Sequence, residues 1–136
     1  MSERDFALTQ RVYYEHTDHG RVVYHADYLK FFERARTEWL RELGFDQSKL
    51  ERSDSIVFVV HHMDIHFRKP ARFDDLLQVD VHVLNIGRAS MDVAQRISRD
   101  NVLLCTAEVG VACVAVDSLK PCPIPEILRR KLNHAY

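Results

Sequence analysis

The residue types and spacing best suited to chemistry lie between Tyr13 and Leu40, in the stretch YYEHTDHGRVVYHADYLKFFERARTEWL. A carboxylate, Asp18, stands in a short polar segment with His16, His19 and Gly20, and His25 follows where a helical pattern begins. A helix start carries unpaired N–H groups and a partial positive charge, so it favours an oxygen on which negative charge develops. Aspartate side chains, with a reference pKa of ~3.9, are ionised at neutral pH. A carboxylate a few residues ahead of an electrophilic helix start suits acyl chemistry, as a nucleophile or as a base for water. The plainer alternative is a loop aspartate that caps its own backbone.

The elements that must position these groups are legible as periods. Tyr28, Phe31, Phe32, Ala35, Trp39 and Leu43 recur at three- and four-residue steps, which predicts a helix over about Asp27 to Leu43. Lys30, Glu33, Arg34, Glu38, Arg41 and Glu42 fill its other face, and Gly44 suits a left-handed cap. Ahead of it, Phe6 to Tyr13 reads as a strand and Glu15 to Val23 as a loop; Gln47 to Arg52 suits one more helical turn. From Ser55 the period becomes two. Ile56 to Val60 is apolar on both faces, and Met63, Ile65 and Phe67 then alternate with His62, Asp64 and His66. Further strands follow at Leu77 to Val83, Met91 to Ser98 and Val102 to Val116. Three prolines from Pro121 to Pro125 end the sheet, and the remainder to Tyr136 has room for a short helix. The expectation is an α+β fold in which a long helix packs on a five-stranded antiparallel sheet. The short links suggest a meander for the last four strands, since parallel crossovers need about a dozen residues. Exposed sheet edges suggest pairing with a second copy.

Composition bounds the function. A chain of 136 residues reads as one domain, 1–136, burying roughly two-thirds of its unfolded surface. The net charge of −1 gives no general field for nucleic acid or an anionic membrane surface. No apolar run has the length of a signal peptide or membrane span, which favours a cytoplasmic location. Cys105 and Cys113 share a strand roughly 26 Å apart, too far to bridge, and Cys122 has no partner at metal-ligand spacing. All three read as reduced thiols. His62, Asp64 and His66 alternate on one strand face, but a closed metal site needs a further ligand, so no metal is expected; His16 and His19 read as surface loop residues.

The first block carries a resemblance. Tyr13, Tyr14, Glu15, Thr17, Asp18, Gly20, Val22, Val23, Tyr24, His25 and Ala26, then Tyr28, Leu29, Phe32, Glu33, Arg34, Ala35, Arg36, Thr37 and Glu38, match a pattern in one enzyme family. The chain resembles the hotdog-fold acyl-CoA thioesterases of the 4-hydroxybenzoyl-CoA thioesterase type, and within them the bacterial branch associated with the Tol-Pal envelope system. The similarity continues more weakly at 69–75 and along the last strand. Two positions depart from the pattern. His16 replaces the first aspartate of an Asp-Thr-Asp segment, and Arg21 replaces a second glycine, where a side chain restricts the loop.

The resemblance implies hydrolysis of an acyl-CoA thioester to free acid and coenzyme A. Asp18 is the family's catalytic carboxylate, either attacking the thioester to form a mixed anhydride or deprotonating water. The backbone N–H of His25 is the expected oxyanion donor. Tyr14 is a candidate hydrogen-bond donor to the same centre, or simply core. Tyr28, Phe31, Phe32 and Phe58 are the nearest candidates for an acyl pocket, although aromatic residues at this spacing also build ordinary cores. Lys69, Arg72, Arg88 and Ser90 fit the family's region for the coenzyme A phosphates, and each could equally be a solvated surface residue. No metal or redox cofactor is needed, coenzyme A being part of the substrate. A homo-oligomer is implied, a dimer or a dimer of dimers (homotetramer), with each site built across a subunit interface. A non-catalytic acyl-CoA or acyl-carrier binding module on the same scaffold is the alternative. A hotdog hydratase fits less well, because its Asp and His stand about five positions apart.

Overall fold

The structure, a computed structural model, describes residues 6–134. Five strands form one antiparallel sheet: β1 (Phe6–Arg11), β2 (Ile56–Phe67), β3 (Leu76–Ile86), β4 (Ser90–Arg99) and β5 (Val102–Ala115). Three helices accompany them, α1 (His25–Glu42), α2 (Gln47–Asp54) and α3 (Glu126–His134), with a 3-10 turn at Tyr14–His16. The periods predicted this α+β arrangement, and it matches the hotdog fold that the resemblance implied.

The sheet buries one face under α1, and the period of two decides which side chains those are. Leu77, Val79, Val81 and Val83 of β3, with Met91, Val93 and Ile97 of β4, are buried. From α1, Phe31, Phe32 and Ala35 are fully buried and Tyr28, Trp39 and Leu40 nearly so. Each large side chain here contributes about 1.5–3 kcal/mol by leaving water. The helix ends as its sequence suggests. Gly44 has φ +95°, and the N–H of Phe45 reaches back to the carbonyl of Leu40.

Strand order departs from the expected meander. The sheet runs β1-β3-β4-β5-β2, so β2 pairs with β5 and not with the next strand in sequence. The link 68–75 is long enough to cross the end of the sheet. It is held on the way by the Arg68 and Lys69 N–H groups on the Leu104 carbonyl and by Val12 N–H on Asp75 O. β2 is therefore an edge strand, and Val59, Val60 and Phe67 remain exposed although their sequence reads as covered. A register shift between Val60 and His62 marks a bulge at its middle.

At the other end, the chain forms the short helix it had room for, and this α3 buries Leu128 and Leu132. Cys122 is not isolated, since its Sγ lies 3.6 Å from Cys113 Sγ, both thiols being free. Burial pushes the Cys105 and Cys113 thiols up to about 12, which keeps them protonated and unreactive at neutral pH.

Candidate active site

Asp18 and the start of α1 belong to one narrow hairpin. Thr17 pairs with Val23, the Asp18 N–H donates to Val22 O at 3.1 Å, and the Tyr24 N–H donates to His16 O at 2.8 Å. Tyr24 is extended and directly precedes His25, the first residue of α1. The hairpin is itself tied to the sheet linker by Val23 N–H on Ala71 O and by pairing of Val22 with Arg72.

The Asp18 carboxylate is exposed, and its two oxygens differ. Oδ1 accepts the Gly20 N–H at 2.8 Å, the self-capping contact open to any loop aspartate. Oδ2 accepts no hydrogen bond among the described residues. One oxygen thus fixes the group while the other is free to react. A Cβ at Gly20 would stand 3.2 Å from Asp18 Oδ1, so a side chain there would press on the carboxylate. Arg21 has φ +63°, so the loop keeps the left-handed turn that suits glycine despite its side chain.

The His25 N–H donates to nothing among the described residues, as befits the first turn of a helix. Beside it lies a cavity of about 270 Å³ lined by Val23, His25, Tyr28, Phe67, Arg68, Lys69 and Pro70. Two cations and a helix start give it a positive character suited to an acyl-CoA phosphate or a developing oxyanion. The Tyr28 hydroxyl accepts the Ala71 N–H at 3.0 Å, and burial raises its pKa despite that bond. Asp18 does not line this cavity within the single chain.

The other residues singled out in the sequence are spread across the molecule. Tyr14 is 76% exposed and lies flat on Phe73, ring centroids 3.9 Å apart, with no hydrogen bond from its hydroxyl to Asp18. Phe31 and Phe32 are core residues beneath α1. Arg72 is exposed beside the hairpin, and its N–H is held by Asp75 Oδ2. Phe58, Arg88 and Ser90 belong to the opposite end of the sheet. Phe58 pairs with Cys113 and Ser90 with Ala112, whereas Phe67 pairs with Cys105. At about 3.4 Å per residue along β5, the two ends are some 25 Å apart.

That far end has a cavity of its own, about 150 Å³, lined on α1 by Glu33, Arg36, Thr37 and Trp39 and on the sheet by Phe58, Val60, Met91 and Val111. Arg36 donates to Gln95 Oε1 at 2.9 Å, and burial lowers its pKa. Gln95 Nε2 is shared between the carbonyls of Phe32 and Asp80. Sequence reasoning passed over this pair, although a glutamine in the inward register of Met91, Val93 and Ile97 signals a buried polar partner. It also read His16 as a surface residue, and His16 is only 3% exposed. His19 is exposed as expected. Asp64 and His66 pair at 3.2 Å on the open face, but among the described residues no group of three His, Cys, Asp or Glu is placed to hold a metal.

Known proteins share this fold. The model of the thioesterase-like superfamily matches residues 12–132. The Haemophilus influenzae protein named acyl-CoA thioesterase YbgC is 42% identical over 134 residues, 98% of either chain. The Escherichia coli acyl-CoA thioester hydrolase YbgC is 44% identical over 127 residues, spanning 93% of this chain and 94% of its own. The crystal structure of a probable thioesterase from Bartonella henselae superposes with a TM-score of 0.86 at 37% identity, over 89% of this chain and 99% of that one. Because the match takes in the Asp18 hairpin, the helix it feeds and the sheet behind both, the chain belongs to the thioesterase-like superfamily.

Proposed function

We propose that this protein is an acyl-CoA thioesterase that hydrolyses the thioester to a free acid and coenzyme A. The observation that carries the reading is the hairpin that holds Asp18 by one oxygen, leaves the other free, and ends in the unpaired N–H of His25. In the reaction the thioester carbonyl oxygen takes the His25 N–H as it gains charge, an interaction typically worth ~10²–10³ in rate. Asp18 Oδ2 then acts in one of two ways. It attacks the carbonyl carbon, expelling the coenzyme A thiolate and leaving a mixed anhydride that water cleaves, or it removes a proton from the attacking water. Names of relatives support the substrate class, since those at 42% and 44% identity are called acyl-CoA thioesterase and acyl-CoA thioester hydrolase.

The complete site is a property of two copies. β2 is an unpaired edge of 12 residues, and antiparallel pairing with the same strand of a second chain extends the sheet. Such pairing brings one chain's Phe67 end, with His25 and Lys69, against the other's Phe58 end, with Arg88 and Ser90. That joins candidate residues which a single chain keeps apart, and it walls the exposed Asp18 from water. A further pairing of dimers gives the tetramer.

The test is a panel of short, long and aromatic acyl-CoA substrates read by free-thiol release, with Asp18→Asn beside the wild type. We expect at least one substrate to turn over and Asp18→Asn to lose ~10²–10⁴ in kcat with its fold and acyl-CoA binding intact. A mutant with near-wild-type turnover refutes the role of Asp18. Binding without hydrolysis across the panel would make the protein a binding module.

A further inference from the structure

We infer that His16 is the positioning residue that fixes the Asp18 hairpin against α1, through its Nδ1 as a buried hydrogen-bond acceptor. This rests on the reading of Asp18 as the reacting carboxylate. Three bonds meet at His16. Its Nδ1 accepts the Tyr13 N–H at 2.9 Å, its carbonyl accepts the Tyr24 N–H at 2.8 Å, and its own N–H donates to Tyr13 O at 3.0 Å. The ring is pinned between Tyr13, stacked at 5.8 Å, and Phe31 of α1, met edge-on at 4.9 Å. The backbone of this one residue ties the two arms of the hairpin together, and its side chain fixes that residue against Tyr13 and Phe31.

The chemistry of the ring shows which atom matters. With Nδ1 accepting, the neutral imidazole carries its proton on Nε2. That Nε2 is buried without a hydrogen bond among the described residues, 3.6 Å from Glu15 Oε1. A buried donor without a hydrogen bond is costly, so an apolar side chain would fill this place more favourably if filling were the need. What an apolar side chain cannot supply is the acceptor. The oxygen Oδ1 of an asparagine stands at the same position along the side chain as Nδ1 and accepts the same N–H. Asp18 lies two residues on, joined to Val22 by the ladder that begins at His16 and Tyr24. Loss of the anchor shifts that ladder relative to the His25 N–H, and misplacement by about 1 Å can cost 10²-fold in rate.

The experiment compares His16→Leu and His16→Asn in the full chain, each made in the wild-type and in the Asp18→Asn background. Turnover of butyryl-CoA or benzoyl-CoA, whichever the wild type hydrolyses faster, is followed by thiol release with kcat and KM resolved. We expect His16→Leu to lose ~30–100-fold in kcat with KM within about twofold, and His16→Asn to stay within about threefold of wild type. In the Asp18→Asn background His16→Leu should remove less than about twofold more, because a misplaced carboxylate matters only where the carboxylate reacts. If His16→Leu does not fold, His16→Met takes its place. An asparagine no better than leucine, an unchanged kcat in His16→Leu, or equal losses in both backgrounds overturns the inference. An Asp18→Asn chain that still turns over defeats the reading of Asp18 instead.

Discussion

The middle of α1 and its front treat polar groups in opposite ways. Beneath the middle, Gln95 is only 1% exposed and its amide is matched to Arg36 and to the carbonyls of Phe32 and Asp80. At its front, Asp18 Oδ2 and the His25 N–H have no partners among the described residues, and Arg21 sits in a left-handed conformation. Satisfied polar groups hold a fold together. Unsatisfied ones held in place by their neighbours are what a reacting group requires, at some expense of stability.

Small substitutions at the two places should therefore fail differently. The largest effect belongs to the middle, where Gln95→Leu leaves the half-buried Arg36 guanidinium without its acceptor and should lower unfolding stability by about 1–3 kcal/mol in a denaturant titration. Turnover per folded molecule should change little, and a normal midpoint would show that the Gln95 cluster is not stabilising. At the front, Gly20→Ala presses a methyl group on Asp18 Oδ1. It should lower kcat by about tenfold while the melting temperature barely moves. Loss of stability without loss of rate would reverse the assignment of the two places. Lys69→Ala and Arg88→Ala should each raise KM for acyl-CoA, by roughly 3–10-fold, more than they lower kcat. An effect in Lys69→Ala alone would confine the site to the His25 end of one chain. The smallest effect is expected for Arg21→Gly. Relief of a left-handed side chain, set against glycine's larger unfolded-state freedom, should leave a gain of about 0.5–1 kcal/mol in chemical denaturation.

Much of this was readable beforehand, for identifiable reasons. The helical stripe Tyr28, Phe31, Phe32, Ala35 and Trp39 and the alternation of β3 report burial directly, since each element shows its own period. Asp18 and His25 stood out because a helix start is a local feature. His16 did not, because nothing local distinguishes a loop histidine in solvent from one wedged under Phe31. Cys113 and Cys122 are neighbours only because the chain after β5 folds back, with Cys122 N–H on the Cys113 carbonyl. Arg88 and Ser90 could not be separated from Lys69 until the register of β4 and β5 was known.

The sequence by itself determined the elements, the apolar face of the long helix and the carboxylate ahead of its first turn, since all of these depend on residues within a few positions of one another. Tertiary structure alone decided that β2 crosses to the far edge, that a histidine is buried under the Asp18 hairpin, and that Arg21 keeps a glycine's conformation. The reason is the same in each case. Ladder partners and burial are set by contacts between distant segments, and no period along the chain records them.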